Sequence, residues 1–206
     1  MRKLVVTEFL SLDGVMEAPE KWTFQFWNDD LAKFKLDELF ASDAHLLGRV
    51  TYQIFAGAWP SRSDEEGFAD RMNSLPKYVV STTLKKAEWK NSHLIRENSA
   101  AEILKLKQQP GRNILVAGSA TLVQTLIQHD LIDEYHFLVF PIVLGGGKRL
   151  FIDESKATLK LVETKAFNLG VVLLSYKPDK SRCQDFLILN SYEHNHRWMR
   201  LRRDSL

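Results

Sequence analysis

Three short stretches of this chain set glycine, hydroxyl and basic side chains where an apolar run gives way to a helical pattern. In the first, Gly48 ends an apolar run and is followed by Arg49 and Thr51. Glycine lets a ligand approach the backbone, a starting helix presents unpaired N–H groups to an anion, and a guanidinium matches phosphate. In the second, Ser81 and Thr82 offer hydroxyls at the end of another run, with Lys85 and Lys86 close behind. In the third, Gly118, Ser119, Ala120, Thr121 and Leu122 form a small-residue turn and a helix start. That arrangement holds pyrophosphate in many α/β proteins. Each stretch alone also fits a glycine turn, a hydrophilic turn or a capped helix. Three at successive strand ends would lie along one edge of an open sheet, where ligands bind.

Other signatures are missing. The chain lacks G-x-G-x-x-G and G-x-S-x-G. Gly145-Gly146-Gly147-Lys148 lacks the upstream glycine of a phosphate loop, and Arg149 stands where Ser or Thr would bind magnesium. The six histidines show no metal-ligand spacing and Cys183 is the single cysteine, so no metal site and no internal disulfide are expected. Trp22, Phe24, Phe26 and Trp27 can wall a planar ring or flank a helix as core.

The elements that must position these residues alternate. Apolar β-type runs span Leu4–Leu10, Ala44–Leu47, Lys77–Ser81, Ile114–Ala117, Glu134–Val143, Leu159–Phe167 and Val171–Tyr176, with a weaker one at Ser92–Ile95. Several are continuously apolar, as strands covered on both faces are. Asn28 can cap a helix whose core stripe is Ala32, Leu36, Leu39 and Phe40. Ser63 with Glu66, and Ser99 with Glu102, fit capping boxes. Ser119 can cap a helix that turns Leu122, Val123, Leu126 and Ile127 to the sheet. The pattern predicts a three-layer α/β/α sandwich with a mostly parallel central sheet and antiparallel C-terminal strands.

Composition bounds the function. The 206 residues, 45% hydrophobic and 26% charged, suit one soluble domain over 1–178. Residues 179–206 read as a C-terminal extension, with an apolar patch at Phe186–Leu189 and a basic end at Arg197–Arg203. That extension carries the whole net charge of +2, so no nucleic-acid or membrane partner is expected. Glu8 and Asp13 interrupt the N-terminal apolar stretch too early for a signal peptide, and a lone cysteine fits a reducing cytoplasm.

Taken in order, Phe9–Val15, Leu47–Tyr52, Val80–Thr82, Val116–Ser119 and Phe140–Lys148 with Leu150-Phe151 resemble the dihydrofolate-reductase-like superfamily. The closest group contains the reductase domain of the bifunctional riboflavin-biosynthesis deaminase–reductase. The resemblance implies NADPH as reductant, a small-molecule substrate and a homodimer. It assigns Gly48, Arg49 and Thr51 to a phosphate turn. Ser81 and Thr82 fall to the adenosine 2′-phosphate, and Gly118 to Leu122 to the pyrophosphate. The loop from Ser11 to Met16, with Gly14, would close over the nicotinamide, and Gly145 and Gly146 would lie near the substrate. Asp30 sits where dihydrofolate reductases carry the substrate carboxylate, although it also suits a first helical turn. Asp13 is a second candidate for the proton source, and Trp22 for the substrate wall. The implied activity is reduction of 5-amino-6-(5-phosphoribosylamino)uracil or of a pterin C=N bond. The alternative is a nucleotide-binding module without catalysis.

Overall fold

A computed structural model describes residues 1–152 and 157–181. The readings made for Cys183, Phe186–Leu189 and Arg197–Arg203 lie outside those residues. Eight strands form one sheet in the order β4-β3-β2-β5-β1-β6-β8-β7. They are β1 (Leu4–Ser11), β2 (Ser42–Gly48), β3 (Lys77–Val80), β4 (Ser92–Ile95), β5 (Asn113–Ala117), β6 (Glu134–Phe140), β7 (Leu159–Ala166) and β8 (Val172–Pro178). Pairing is parallel from β4 through β6, and antiparallel where β8 joins β6 and β7. The helices are α1 (Asp29–Phe40), α2 (Arg49–Ala58), α3 (Phe68–Ser74), α4 (Ser99–Gln108) and α5 (Ala120–Gln128).

Strand alternation divides the core into layers. Leu4, Val6, Leu46, Ile114 and Val116 pack with Ile103 and Leu106 of α4 and Leu122, Val123 and Leu126 of α5. Val5, Leu47, Val79 and Leu115 pack the other way, with Leu39 of α1, Tyr52 of α2 and Met72 of α3. Helices therefore cover both faces, as the continuously apolar strands require. Burying each of the three α5 side chains contributes about 1.5–3 kcal/mol.

Four local expectations need correction. β6 stops at Phe140 rather than Val143, because Pro141 has no N–H to donate to the ladder. The Ser63–Glu66 capping box does not form; the Asp64 carboxylate accepts from the Phe68 and Ala69 N–H groups at 2.7 and 2.6 Å. Ser99 is the first residue of α4, and the cap position belongs to Asn98, whose φ is +50°. On α1 the expected stripe is rotated. Leu31, Glu38 and Leu39 are buried, Leu36 is half-buried and Phe40 is exposed. The sheet beneath this helix offers Thr7 and His136 as well as apolar groups, so its inner face carries polar partners. Asn28 does cap α1, with Oδ1 accepting from the Leu31 N–H at 3.1 Å.

Candidate functional site

At the carboxyl ends of β2, β3 and β5 the chain leaves a cleft of about 250 Å³. Gly48, Arg49, Ser81, Thr82, Ser119, Thr121 and Leu122 line it together. Three stretches far apart in the sequence thus meet because parallel crossovers return every strand tip to one edge. Two turns touch there. A Cβ on Gly48 would collide with Ser119 Oγ, and a Cβ on Gly118 would lie 2.7 Å from Thr51 Oγ1. Gly118 also has φ +65°, a region that favours glycine. Its peptide to Ser119 is cis.

The electrostatics of this edge suit an anion. α2 starts at Arg49 and α5 at Ala120; neither has a side-chain cap or an acidic residue in its first turn. Their leading N–H groups and positive dipole ends are unopposed. No carboxylate lines the cleft among the described residues. Arg49 is exposed, and Nη1 donates to Gln53 Oε1 at 3.0 Å. Ser81 Oγ accepts from the Thr83 and Leu84 N–H groups at 3.2 and 2.9 Å, which folds the following turn around the hydroxyl.

The loop after β1 forms a second cluster. Asp13 accepts from Ser11 Oγ at 2.7 Å and from the Leu144 and Gly145 N–H groups at 3.1 and 3.0 Å. The Ser11 hydroxyl and these backbone donors hold its carboxyl down at about 2. Met16 N–H donates to Lys148 O at 2.9 Å, and Val15 bridges Arg149. Asp13 and Gly14 are therefore clamped to the strand-to-loop segment of Gly145 and Gly146. An ionised acceptor with these bonds holds a loop and carries no proton to donate.

The remaining expected residues stand apart. Asp30 is exposed at the start of α1 and accepts from Asn168 Nδ2 at 3.0 Å. Trp22 is buried edge-on against Phe140, 5.5 Å between centroids, and Nε1 donates to Glu17 O at 2.9 Å. Its ring is core, which corrects the wall reading for Trp22; Phe24 and Trp27 keep exposed surface.

Residues 2–173 match the model of the RibD C-terminal domain. The chain belongs to the RibD C-terminal domain family. Uncharacterized protein YyaP of Bacillus subtilis is 32% identical over 179 residues, which is 85% of this chain and 94% of that protein. A putative riboflavin biosynthesis protein from Shewanella sp. PV-4 superposes with TM-score 0.69 at 23% identity, over 86% of this chain and 99% of that one. A dihydrofolate reductase from Enterococcus faecalis, complexed with NADP(H) and RAB-propyl, superposes with TM-score 0.58 at 16% identity, over 86% and 97%. This RibD C-terminal domain thus has the dihydrofolate-reductase-like fold expected from its motifs.

Sequence reading missed a group inside the fold. Glu8 on β1 is buried and accepts from the Gly118 N–H at 3.0 Å. Burial pushes its carboxyl up to about 8, against the pull of that N–H and of Lys35. Lys35, Glu38, His136 and Glu134 join one another under α1. A signal was present: Leu31, Lys35 and Leu39 recur every four residues, so a lysine shares the buried stripe.

Proposed function

We propose that this chain is an NADPH-dependent reductase of a small heterocyclic substrate, related in chemistry to 5-amino-6-(5-phosphoribosylamino)uracil reduction or to dihydrofolate reduction. One observation carries the reading: three phosphate-type turns share one cleft with two acid-free helix starts. The residues fit the cofactor. Gly48, Arg49 and Thr51, with Ser81 and Thr82, would hold the 2′-phosphate end, and Gly118 to Leu122 the pyrophosphate. Gly14 and the clamped loop would cover the nicotinamide. Bound there, NADPH supplies a hydride to an electrophilic carbon. The chain's own task is placement, exclusion of water and provision of a proton. A cytoplasmic homodimer belongs to the same proposal. β7 supports the dimer, because it exposes Leu161 and Val162 at the sheet edge.

Fluorescence titration of the whole chain with NADPH and NADH tests this. NADPH is expected to bind more tightly. Arg49→Ala is expected to weaken NADPH about 10- to 100-fold and NADH little, because a charged hydrogen bond contributes about 1.5–3 kcal/mol. No NADPH binding, or equal losses for the two nucleotides, overturns the reading. Oxidation of NADPH in the presence of the two heterocycles separates an enzyme from a binding module. Light scattering reads the oligomeric state.

A further inference from the structure

A row of ionisable groups runs from the surface into the α1 face of the sheet. Lys3 Nζ, more than half exposed, donates to Glu134 Oε2 at 3.3 Å. Glu134 Oε1 lies 3.0 Å from His136 Nε2, and His136 Nδ1 lies 2.6 Å from Glu38 Oε1. Glu38 Oε2 receives Lys35 Nζ, which also donates to Thr7 Oγ1 at 2.9 Å. Exposure falls along the row: 55% at Lys3, 17% at His136 and 4% at Glu38. At its inner end Lys35 regains 13%, so the ammonium is not sealed.

The covering layer is incomplete where the row ends. Phe9 lies inside β1 and Ala117 ends β5, and both are only half-buried although these strands are central in the sheet. Phe9 belongs to the aromatic cluster beneath α1, and Ala117 shares its face with Leu115. Ala117 is the register partner of Thr7, the residue that Lys35 binds. Lys35 Nζ stands 5.4 Å from the centroid of the Phe9 ring, and exposed Trp27 meets that ring edge-on at 6.2 Å. A half-buried aromatic ring, an exposed indole and one cation thus stand together on this face, a setting that suits a flat polar ring. Neither Asp13 nor Asp30 supplies a proton there, the first being ionised and clamped, the second exposed against Asn168.

We propose that Lys35 is the proton donor of this reductase site, and that Glu38, His136 and Glu134 reload it from the surface. The inference rests on the NADPH reading above. Bound NADPH would supply a hydride to the substrate carbon, and the attached nitrogen or oxygen, which gains the π pair, would take its proton from Lys35 Nζ. Lys35 is left as a neutral amine. The cation that held Glu38 ionised is then gone, so Glu38 accepts a proton from His136 on Oε1, and rotation of the carboxyl group presents that same proton to Lys35. His136 recovers its proton from water past Glu134. In sum one NADPH and one proton are consumed per substrate reduced. The titratable groups around Lys35 are Glu38 on its own helix, which is ionised, and Glu8 on β1 and His45 on β2, which burial holds neutral; His136 on β6 reaches it through Glu38.

The test uses the full chain as wild type, Lys35→Arg, Lys35→Met and His136→Gln. NADPH binding is read by fluorescence, NADPH oxidation with 5-amino-6-(5-phosphoribosylamino)uracil and with dihydrofolate, and histidine titration by NMR. Lys35→Arg keeps the charge without a transferable proton. It is expected to hold NADPH affinity within about threefold and to lower kcat by about 100-fold or more. His136→Gln should lower kcat and spare KM, with a loss that shrinks as pH climbs through the raised His136 value. Lys35→Met should shift the His136 titration upward, because Glu38 then lends its charge to the imidazole alone. Wild-type turnover in Lys35→Arg overturns the proposal, as does a His136 titration indifferent to Lys35→Met. A wild type that binds NADPH but oxidises it with neither acceptor overturns the donor role for this substrate class. A wild type that binds no NADPH instead sinks the cofactor reading, and the donor role with it.

Discussion

The cleft at the tips of β2, β3 and β5 and the interior beneath α1 treat charge in opposite ways. The cleft is walled by glycine, hydroxyls and one exposed guanidinium, with two helix starts that have no acid in their first turns. Beneath α1, carboxylates, an imidazole and an ammonium stand in contact and mostly out of water. A surface that receives a dissolved anion keeps its donors unpaired until the ligand comes. A region that handles protons has its donors and acceptors already joined. The same contrast appears at helix starts. α1 opens with Asp29 and Asp30 under an Asn28 cap, whereas α2 and α5 open bare.

The largest effect should come from breaking the inner region. Glu38→Ala removes the acceptor shared by Lys35 and His136 and leaves two half-buried donors facing each other. The expected loss is about 3–5 kcal/mol in urea unfolding, while NADPH affinity of the folded protein stays within a few-fold. A loss below about 1 kcal/mol would show that the row is a surface decoration. The pH dependence follows from the shifts. Burial opposes charge on Glu38, but Lys35 and His136 hold its carboxyl at about 2, so its contribution is lost as pH falls from the ordinary value of 4.5 through about 2. Burial also opposes charge on His136, but Glu38 and Glu134 raise it above 6.5. Its contribution is full below 6.5 and is lost as pH climbs through the raised value. The stability difference between wild type and His136→Gln should therefore be widest between about pH 4.5 and 6.5.

Glu8 sharpens the comparison from the other side, since it adjoins the cleft yet is buried. Its carboxyl ionises at about 8 in the fold and near 4.5 when unfolded. The unfolded chain releases the proton first, so native stability falls as pH rises from about 4.5 to 8. Glu8→Gln keeps an acceptor for the Gly118 N–H and removes the titration. It is expected to stabilise the protein by about 2–4 kcal/mol at pH 8 and by much less at pH 5, read from thermal unfolding across pH. Equal stabilisation at both values would mean that Glu8 is not held neutral.

What could be read from the sequence divides along the same line. Gly48, Arg49, Ser81 and Ser119 were legible because turn chemistry is local: a strand end, a small residue and a helix start lie within a few positions. The parallel order then follows from alternation of strands and helices, and it brings the three turns together. α5 was legible as well, its stripe of Leu122, Val123 and Leu126 being apolar and buried. α1 was not, because its inner face takes partners from β1 and β6 that are close only in the fold. Lys35 and Glu38 look like a solvated i, i+3 pair until Thr7 and His136 arrive from strands 28 and 98 positions away. Asp64 took the cap expected of Ser63, since its carboxylate reaches two N–H groups at once.

The smallest effect belongs to the cleft and concerns shape rather than charge. Gly48 has an ordinary φ of −75°, so alanine is allowed by the backbone; its methyl group meets the movable hydroxyl end of Ser119 and, at 3.2 Å, Ser119 Cβ. Gly48→Ala should cost about 1 kcal/mol of stability, as a substitution that a rotamer change and a small shift of the Ser119 turn relieve. The displaced hydroxyl, however, turns into the space between the two helix starts. NADPH affinity should fall about 3- to 10-fold, a loss that Ser119→Gly in the same chain should largely restore, as close neighbours couple. A Gly48→Ala protein that binds NADPH normally would put the pyrophosphate away from the contact between these two turns, and the cleft would lose its claim to be one site.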